Sequence, residues 1–457
     1  MTKDRKLDRD QLDFGNGKIG AIFRALFFPT LVGMIFNSAL SVIDGIFVGH
    51  GVGANGIAAV NIVAPLFTLT LGIGLMFGVG ASVVASIRLG ENNTKAARII
   101  MTQAFLASSL LVGIILCIAA FFPCATIYAL GCNEHLEANA LAYLLPLLPG
   151  LFFLQFQCVG MMLIRLDGSP KYAMYCQAIP AAVNIVLDYI MVFPMGMGVA
   201  GAAWATSISC ILSGAMTTVY FLFFADKLKF YRLKMSVTSL FLTLRNVGYM
   251  VKIGFATFLT EGAMGIMVFT GNYTFMKMLG EDGVAAYSIA CYLFPVIFSI
   301  ANAVAQSAQP IISFNYGCHD VERVGKVLRL STLAAGLCGI IVMSGLCIFA
   351  DSIVGAFLSS DEAAYNIAQK GLPYFATCAV FFAMNITFIG YYQSIESAWL
   401  STFYTLLRSI ILLVPAFFLM PLLLEEKGLW LAIPTSELLT LIVILSVIGA
   451  DSNKSFK

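Results

Sequence analysis

Four polar side chains that interrupt apolar stretches have the chemistry of a cation site. Asp44 lies near the end of an apolar run that extends from Ala25 to Gly49. Asn184 and Asp188 are four residues apart in another run, so in a helix they share one face. Thr206 lies in the run that follows. A carboxylate at membrane depth costs roughly 2.5–3.5 kcal/mol on insertion scales, which makes function the first hypothesis for both acids.

These donors are compatible with two coupling ions. Two carboxylates, an amide and a hydroxyl form a hard oxygen set that suits Na⁺. A closely spaced pair of acids can equally hold a proton, because two adjacent negative charges repel each other. The sequence leaves both ions open. It also leaves open that Asn184 and Asp188 hydrogen-bond neighbouring helices, or that Asp44 is solvated near the membrane interface.

A second group of side chains could contact a transported compound. Glu261 lies near the middle of a later apolar run, where it could bind a cationic substrate, couple to a second ion or form a packing hydrogen bond. Methionine and aromatic side chains around it could line an adaptable pocket, although such residues in membrane helices more often serve packing. The substrate-cavity candidates are Glu261, Asn37, Met264, Met267, Tyr273, Tyr287, Gln306 and Gln309.

The remaining chemistry-bearing residues show no catalytic pattern. Arg408 and Glu437 could pair with each other or with lipid headgroups, so a structural role is the simpler interpretation. The 11 cysteines and 3 histidines show no metal-ligand spacing. The chain has no GxxxxGKS/T phosphate loop, no HExxH motif and no aspartate-rich pyrophosphate motif. A secondary transporter without a cofactor is therefore predicted, and an enzyme is not.

The composition excludes an ordinary soluble protein. Of the 457 residues, 60% are hydrophobic and 11% are charged, and the mean hydropathy is +0.91. Apolar stretches of about twenty residues, the length that crosses a bilayer, recur along the chain with short polar loops between them. The charged N-terminal residues carry no signal-cleavage pattern. The predicted fold class is an all-α polytopic membrane protein.

Twelve transmembrane helices position the candidate residues. We place them near residues 21–49, 56–87, 98–122, 137–165, 172–193, 199–225, 247–279, 283–314, 327–351, 363–393, 398–421 and 428–449. In this segmentation Asp44, Asp188 and Thr206 lie about one and a half to two turns from the outer ends of their helices, and Asn184 lies one turn deeper. The four side chains are therefore predicted to share a depth in the outer half of the first lobe.

The distribution of lysine and arginine predicts the orientation. With both termini in the cytoplasm, 22 of the 26 basic residues fall in cytoplasmic segments, 3 fall in outer segments, and Arg408 falls within a helix. A single miscounted helix would abolish this bias. It therefore supports the even number of spans as well as the orientation.

The chain repeats itself with an offset of 227 residues. This shift, without a gap, places Gly90 on Gly317 and Pro146 on Pro373, in equivalent helices of the two halves. The repeat predicts two six-helix bundles related by an axis along the membrane normal. Such bundles usually rock around a central cavity, so alternating access is the predicted mechanism.

The repeat also gives the domain boundaries. We place the N-lobe at residues 1–225, a charged cytoplasmic linker at 226–246 and the C-lobe at 247–457. The repeat counterpart of Asp44 is Gly271, so the two halves are predicted to have specialised differently.

Together these features resemble the multidrug and toxic compound extrusion (MATE) family, in its prokaryotic DinF-like and MepA-like branch. The resemblance covers essentially the whole chain. It rests on Pro29 with Asp44 in VIDGIFVG, on Asn184 with Asp188 in NIVLDYI, and on Thr206 in GAAWAT.

The resemblance implies roles for these residues. It assigns an N-lobe cation site for Na⁺ or H⁺ to Asp44, Asn184, Asp188 and Thr206, and a bend of the first helix to Pro29. Other branches of the family have a C-lobe cation site formed by an acid in helix 7 and one in helix 10. Glu261 matches the first of these loosely, but the tenth predicted helix has no acid beyond its outer edge. A substrate contact is therefore the favoured role for Glu261.

The predicted function is export of bulky, often cationic, drug-like or dye-like compounds in antiport with Na⁺ or H⁺. The predicted location is the cytoplasmic membrane, and neither nucleic acid nor an obligatory protein partner is expected. One alternative is a lipid-linked oligosaccharide flippase, which would need a cavity rich in arginine and lysine. Another is an integral-membrane enzyme that modifies lipids, which would need a cluster of catalytic groups at one interface.

Overall fold

Helices account for nearly all of the chain that the structure describes, and no β-strand occurs in that part. The structure is a computed structural model that describes residues 12–454 except 53, 235, 360 and 361; the side chains at 39–46, 48–55 and 449–454 are also outside the description.

The described residues of the first half form seven α-helices, six of which are long. They are α1 Ile19–Val52, α2 Ala54–Gly90, α3 Thr94–Phe121, the short α4 Pro123–Ala129, α5 Glu137–Leu166, α6 Pro170–Val192 and α7 Gly198–Val219. A π-helical turn, Tyr220–Phe224, follows α7 directly. The six long helices correspond to the first six predicted spans.

The second half has longer helical runs. They are α8 Val237–Gly317, α9 Val321–Ile348, the short α10 Ala350–Gly355, α11 Ala363–Ala376, α12 Cys378–Ser394, α13 Ala398–Leu406 and α14 Leu413–Lys454. A second π-helical turn, Leu407–Ile411, joins α13 to the start of α14.

Two continuous helical stretches of the second half each contain two membrane spans. One is α8, and the other is the stretch 398–448, which joins α13, the second π-helical turn and most of α14. The described residues hold 10 helical runs that are long and apolar enough to cross a membrane. α8 has 81 residues, and a straight helix of that length would extend about 120 Å, whereas a bilayer core is about 30 Å thick. Gly280 interrupts α8 with φ 66°, and Glu425 interrupts the run 398–448 with φ 50°. A positive φ ends a right-handed helix, and glycine adopts it without a steric cost, so the twelve predicted spans are confirmed.

Apolar side chains cover the outside of the helices. On α3, Leu106, Leu110, Ile114 and Ile118 recur at four-residue spacing, and each is more than half exposed. The same pattern occurs on α9 at Leu333, Leu337 and Ile341. Exposed stripes of this length are stable against lipid and not against water.

The chain forms two compact units. The first comprises the described residues up to Phe258 together with Ser313–Val321, and the second comprises Leu259–Ile312 and the residues from Glu322 onward. Both ends of the α8 run therefore pack within the first unit.

A reciprocal glycine contact joins the end of α2 to the end of α8 in the first unit. A Cβ atom at Gly90 would lie 2.2 Å from the carbonyl oxygen of Phe314, and one at Gly317 would lie 2.3 Å from that of Ile87. Gly90 and Gly317 are repeat counterparts, and so are Ile87 and Phe314, because both pairs are 227 positions apart. The contact therefore has the local two-fold symmetry that the repeat predicts.

The segment after α7 is held to the first unit by one buried carboxylate. Asp167, which follows α5, accepts hydrogen bonds from the backbone N–H groups of Asp226, Lys227 and Leu228 at 2.9, 2.9 and 2.8 Å. It also accepts a bond of 2.7 Å from the hydroxyl of Tyr220. The first part of the segment predicted as a linker is therefore an ordered element of this unit.

Aromatic stacking forms part of the core of the second unit. The ring of Phe275 stacks on Tyr287 with centroids 4.6 Å apart and meets the edge of Trp430 at 5.1 Å. A Cβ at Gly371 would lie 1.9 Å from the Trp430 indole, so the absence of a side chain there makes room for the ring. These contacts join α8, α11 and α14.

Candidate functional site

The candidate cation site depends first on the register between α1 and α6. A Cβ at Gly33 would lie 3.0 Å from the amide nitrogen of Gln177, and the ring of Phe47 lies 6.4 Å from that of Tyr189 and 5.9 Å from that of Phe193. The partners are 144, 142 and 146 positions apart in sequence, so the two helices are parallel with an offset of about 144. This register places backbone position 44 level with Asp188.

The register between α6 and α7 brings Thr206 to the same region. The hydroxyl of Ser213 donates to the carbonyl of Cys176 at 2.5 Å, and a Cβ at Gly201 would lie 2.9 Å from the carbonyl oxygen of Met191. The helices are therefore antiparallel, and interpolation between these contacts puts Thr206 level with Asn184.

A tight contact with α5 fixes the depth of α7. A Cβ at Gly150 would lie 2.8 Å from the hydroxyl oxygen of Ser207, the residue next to Thr206. Ser207 is fully buried in this contact. The level of Thr206 is thus set by helix packing on two sides, against α6 and against α5.

The side chains of α6 in this region are buried polar groups. Asn184 is 1% exposed and Asp188 is 0% exposed. The amide nitrogen of Asn184 has no hydrogen-bond partner among the described residues. Thr206 is half-buried, and its backbone carbonyl accepts a bond from Ser209 at 2.8 Å. The donor chemistry of amide, carboxylate and hydroxyl oxygens suits Na⁺ or a proton.

Two of the predicted residues are described only in part. Asp44 lies within α1, but its side chain is outside those that the structure describes. Pro29 lies inside α1 and is half-buried. Because proline has no N–H, the carbonyl of Ala25 lacks the usual helical hydrogen bond at this point.

The second unit has different groups at the positions equivalent to the candidate cation site. At Gly271, the counterpart of Asp44, a Cβ would lie 2.3 Å from the Tyr287 ring, so an aromatic ring fills the space. The counterparts of Asn184, Asp188 and Thr206 are Ile411, Pro415 and Ile433. Within the described residues no group of three or more His, Cys, Asp and Glu side chains could hold a metal ion.

The second unit instead contains a cavity with a buried ion pair in its wall. The cavity is narrow, with about 20 Å³ of space available to the centre of a water molecule. Its polar wall consists of Thr260, Ser409, Arg408 and Glu437. Its apolar wall consists of Ala263, Met264, Met267, Phe294, Phe298, Phe382, Leu413 and Ile433.

Arg408 and Glu437 form a bidentate ion pair. Arg408 Nη2 donates to Glu437 Oε1 at 2.7 Å, and Arg408 Nε lies 3.0 and 3.2 Å from the two carboxylate oxygens. The guanidinium carbon lies 4.5 Å from the centroid of the Phe382 ring, within cation–π distance. Asn385 donates from its amide nitrogen to Glu437 Oε2 at 2.7 Å and to the Glu437 carbonyl at 2.8 Å. Every member of this cluster is at most 5% exposed.

The other substrate-cavity candidates lie in varied surroundings. Met264 and Met267 line the cavity, whereas Glu261 is half-buried on the same helix and is not part of the lining. Tyr287 is buried and donates its hydroxyl to the carbonyl of Met267 at 3.1 Å. Tyr273 is exposed. The remaining candidates are Asn37, which is exposed, Gln306, which is half-buried, and Gln309, which is buried.

Sequence reasoning missed the cavity role of Arg408, Glu437 and Phe382. The pairing of the two charged residues was among the expected possibilities, and the structure confirms it. Their position in a cavity wall, and the contact with Asn385, depend on helices that are distant in sequence. The available signal was that two opposite charges occur in neighbouring apolar runs, where each alone would be costly.

Comparison with known proteins agrees with the repeat and with the fold. The model of the MatE family matches residues 29–190 and again residues 256–418, so the two matches begin 227 residues apart. The multidrug export protein MepA of Staphylococcus saprophyticus is 24% identical over 399 residues, which are 85% of each chain. The protein of the same name from Staphylococcus aureus is 22% identical over 430 residues, which are 93% of each chain.

A solved structure shares the architecture. It is described as the outward-facing conformation of a multidrug resistance MATE family transporter of the MOP superfamily. It superimposes with a TM-score of 0.90 at 21% identity, over 99% of this chain and 100% of the other. Since the two family matches together cover well over half of the sequence, the chain belongs to the MatE family.

Proposed function

We propose that this protein exports organic compounds of varied structure from the cytoplasm by alternating access, in antiport with Na⁺ or H⁺. The observation that supports it most directly is the register that brings position 44, Asn184, Asp188 and Thr206 to one level. Ionisable and amide side chains at membrane depth are rare and commonly functional, and a coupling cation is the ligand that this oxygen set suits.

The names of the relatives support the substrate class. Both MepA proteins are described as multidrug export proteins, and together they align with most of this chain. The cavity in the second unit has the methionine and phenylalanine lining that adapts to ligands of different shape. The inferred location is the cytoplasmic membrane with both termini in the cytoplasm, as the positive-inside bias indicates.

The charge of the cavity argues against the flippase alternative. A site for the pyrophosphate of a lipid-linked oligosaccharide needs uncompensated positive charge. The only arginine or lysine in the lining of the described cavity is Arg408, and Glu437 neutralises it.

The experiment is efflux of ethidium, a fluorescent cation, from proteoliposomes under separately imposed Na⁺ and H⁺ gradients. We expect one gradient to drive efflux, and Asp188→Asn to reduce the rate to that measured without a gradient. The matched control is Asp282→Asn, which makes the same change at an exposed acid and should leave the rate unaltered. Wild-type gradient-driven efflux in Asp188→Asn would overturn the site assignment, and no gradient response in the wild type would overturn antiport.

A further inference from the structure

The segment after α7 and the start of α8 carry a marked excess of positive charge. Residues 227–260 include six lysines and arginines and no acid. Four of the six are exposed and form no ion pair with an acid in the described part of the chain. These four, the basic rim, are Lys229, Arg232, Lys234 and Arg245. We infer that the basic rim binds the phosphate groups of anionic phospholipids at the membrane surface.

Packing against α3 fixes the backbone that carries three of these cations. The backbone N–H of Tyr231 donates to the hydroxyl of Thr102 at 2.9 Å. The ring of Phe230 packs against those of Phe105 and Phe221, with centroids 5.4 and 5.9 Å away. The cations on either side of this anchor are therefore presented from an ordered backbone, which reduces the entropy lost when they bind a ligand.

Arg245, the fourth cation, reaches α3 at the same level. The amide nitrogen of Gln103 donates to the hydroxyl of Thr243 at 2.9 Å, and Asn246 donates to the amide oxygen of Gln103 at 3.0 Å. Gln103 is next to Thr102, so the segment after α7 and the first turns of α8 meet adjacent residues of one helix. The four cations thus belong to one region of the first unit.

The apolar surface beside the rim places it at the depth of lipid headgroups. The exposed stripe of α3 begins at Leu106, four residues or about 6 Å along the helix from Thr102. The interfacial layer on each side of the hydrocarbon core is about 5–8 Å thick. On the first turns of α8, Leu240, Phe241 and Leu244 are 62, 71 and 62% exposed. Cations beside so much lipid-facing surface meet phosphate groups in preference to bulk water.

The excess of positive charge is not a duplicated feature of the fold. Lys95 and Arg98 at the start of α3 add to it, and their repeat counterparts at the start of α9 are Glu322 and Gly325. Glu322 pairs with Lys326, so an acid balances part of the positive charge on α9. The lipid site is therefore expected in the first unit and not at the equivalent place in the second.

The test counts the lipids that the purified full-length protein retains in native mass spectrometry. The detergent solution contains equal amounts of phosphatidylglycerol and phosphatidylcholine with the same acyl chains, so the two probes differ only in the headgroup. We expect the wild type to retain the anionic lipid in at least about tenfold excess, because each cation near an anionic surface contributes roughly fivefold. Equal retention of the two lipids overturns the inference.

A soluble phosphate distinguishes a lipid site from a general anion site. Glycerol 3-phosphate, added at the concentration of the lipid, has the same phosphate chemistry without the acyl chains. We expect it to leave the retained phosphatidylglycerol unchanged, because the apolar surface beside the rim contributes to lipid binding. Displacement of the lipid by glycerol 3-phosphate would overturn the assignment to phospholipid.

Two variants locate the site on the rim. In Arg232→Gln with Lys234→Gln we expect the ratio of retained anionic to zwitterionic lipid to fall at least about fivefold. The matched control is Lys326→Gln with Arg329→Gln, which removes one exposed lysine and one exposed arginine from α9 and should keep the wild-type ratio.

A second rim variant, Lys229→Gln with Arg245→Gln, should lower the ratio in the same way and replaces the first if that one does not fold. A folded rim variant with the wild-type ratio would overturn the inference. The measurement uses no ion gradient and no transported compound, so its outcome is independent of the proposed export function.

Discussion

Gln155 has a buried side-chain amide that forms no hydrogen bond within the described structure. It lies on α5 opposite Gly74 of α2, where an added Cβ atom would lie 3.2 Å from the Cα of Gln155, and it is 1% exposed. Neither its amide oxygen nor its amide nitrogen has a hydrogen-bond partner among the described residues. A buried polar group without a partner costs about 1–3 kcal/mol.

We therefore expect Gln155→Met to stabilise the protein by about 1 kcal/mol, because methionine has a similar length and no strong hydrogen-bonding group. The measurement is the thermal midpoint of unfolding in detergent. The control is Gln103→Met on α3, where the glutamine donates to Thr243 at 2.9 Å and accepts from Asn246 at 3.0 Å. That variant should be less stable than the wild type. A lower midpoint for Gln155→Met would show that its amide has a partner.

At this scale the sequence indicated some of the buried polar residues and not others. Asn184 and Asp188 could be grouped from their spacing, because residues four apart share a helix face whatever the tertiary structure. Arg165 was counted with the cytoplasmic loop cations, but it is 1% exposed in the last turn of α5. Its burial results from packing against other helices, which spacing does not report.

At the scale of elements, Asp167 joins the end of α5 to the segment that follows α7. Its carboxylate accepts the hydrogen bonds of three successive backbone N–H groups and of the Tyr220 hydroxyl, which would otherwise need water. Arg98 adds a bond from its Nε to the carbonyl of Lys227 at 2.7 Å. The sequence predicted a solvated linker because the segment is rich in charge. It did not reveal this anchor, since Asp167 is 59 to 61 positions away from its backbone donors.

We expect Asp167→Ala to lower the free energy of unfolding by about 3 kcal/mol, because it leaves several donors unpaired. Trypsin should then cleave faster after the lysines and arginines of residues 226–246. Tyr220→Phe removes one of the hydrogen bonds to the carboxylate and should cost only about 1 kcal/mol. Equal effects of the two substitutions, or unchanged cleavage in Asp167→Ala, would contradict the anchoring role.

The glycine crossing of α2 and α8 gives a second prediction at this scale. A methyl group at Gly317 would approach the carbonyl oxygen of Ile87 to 2.3 Å, so one helix must move. Overpacking of this kind typically costs about 1–3 kcal/mol, and we expect Gly317→Ala to lower the thermal midpoint and the efflux rate. Gly336→Ala on α9 is the control, because a Cβ there meets nothing within 4 Å. An unchanged midpoint in Gly317→Ala would show that the crossing is loose.

At the scale of the whole molecule, the repeat was the most predictable feature. The offset of 227 recurs in the two family matches and in the reciprocal contacts of Gly90 and Gly317. Hydropathy was sufficient for the twelve spans, because each must supply its own backbone hydrogen bonds in lipid. The breaks at Gly280 and Glu425 and the two π-helical turns were not predictable, because they depend on how each chain segment meets its neighbours.

The repeat did not predict where polar chemistry would lie in each unit. The first unit has Asn184, Asp188 and Thr206, and apolar residues occupy their counterparts in the second. The second unit has Arg408 and Glu437, and their counterparts in the first are Ala181 and Cys210. The duplicated helices therefore form the same scaffold around two kinds of polar site, one suited to a small cation and one balanced in charge.

In the proposed antiport, the state of the candidate cation site must alter the conformation of the molecule, and Pro29 is the point in α1 where a bend costs least. Proline leaves the carbonyl of Ala25 without its helical partner, so α1 can bend there without breaking a hydrogen bond. We expect Pro29→Ala to restore that bond, stiffen α1 and raise the thermal midpoint. Gradient-driven efflux of ethidium at saturating concentration should fall severalfold.

Pro65 lies inside α2 and provides the comparison, because Pro65→Ala makes the same change in a neighbouring helix. If bending of α1 is the relevant step, Pro65→Ala should lose less efflux activity than Pro29→Ala for the same rise in the thermal midpoint. Wild-type efflux in Pro29→Ala would show that α1 moves as a rigid helix. In that case, a conformational change that starts at Asp188 would have to pass through α6 and α7. These two helices are in close contact at Gly201, and α7 is in close contact with α5 at Gly150.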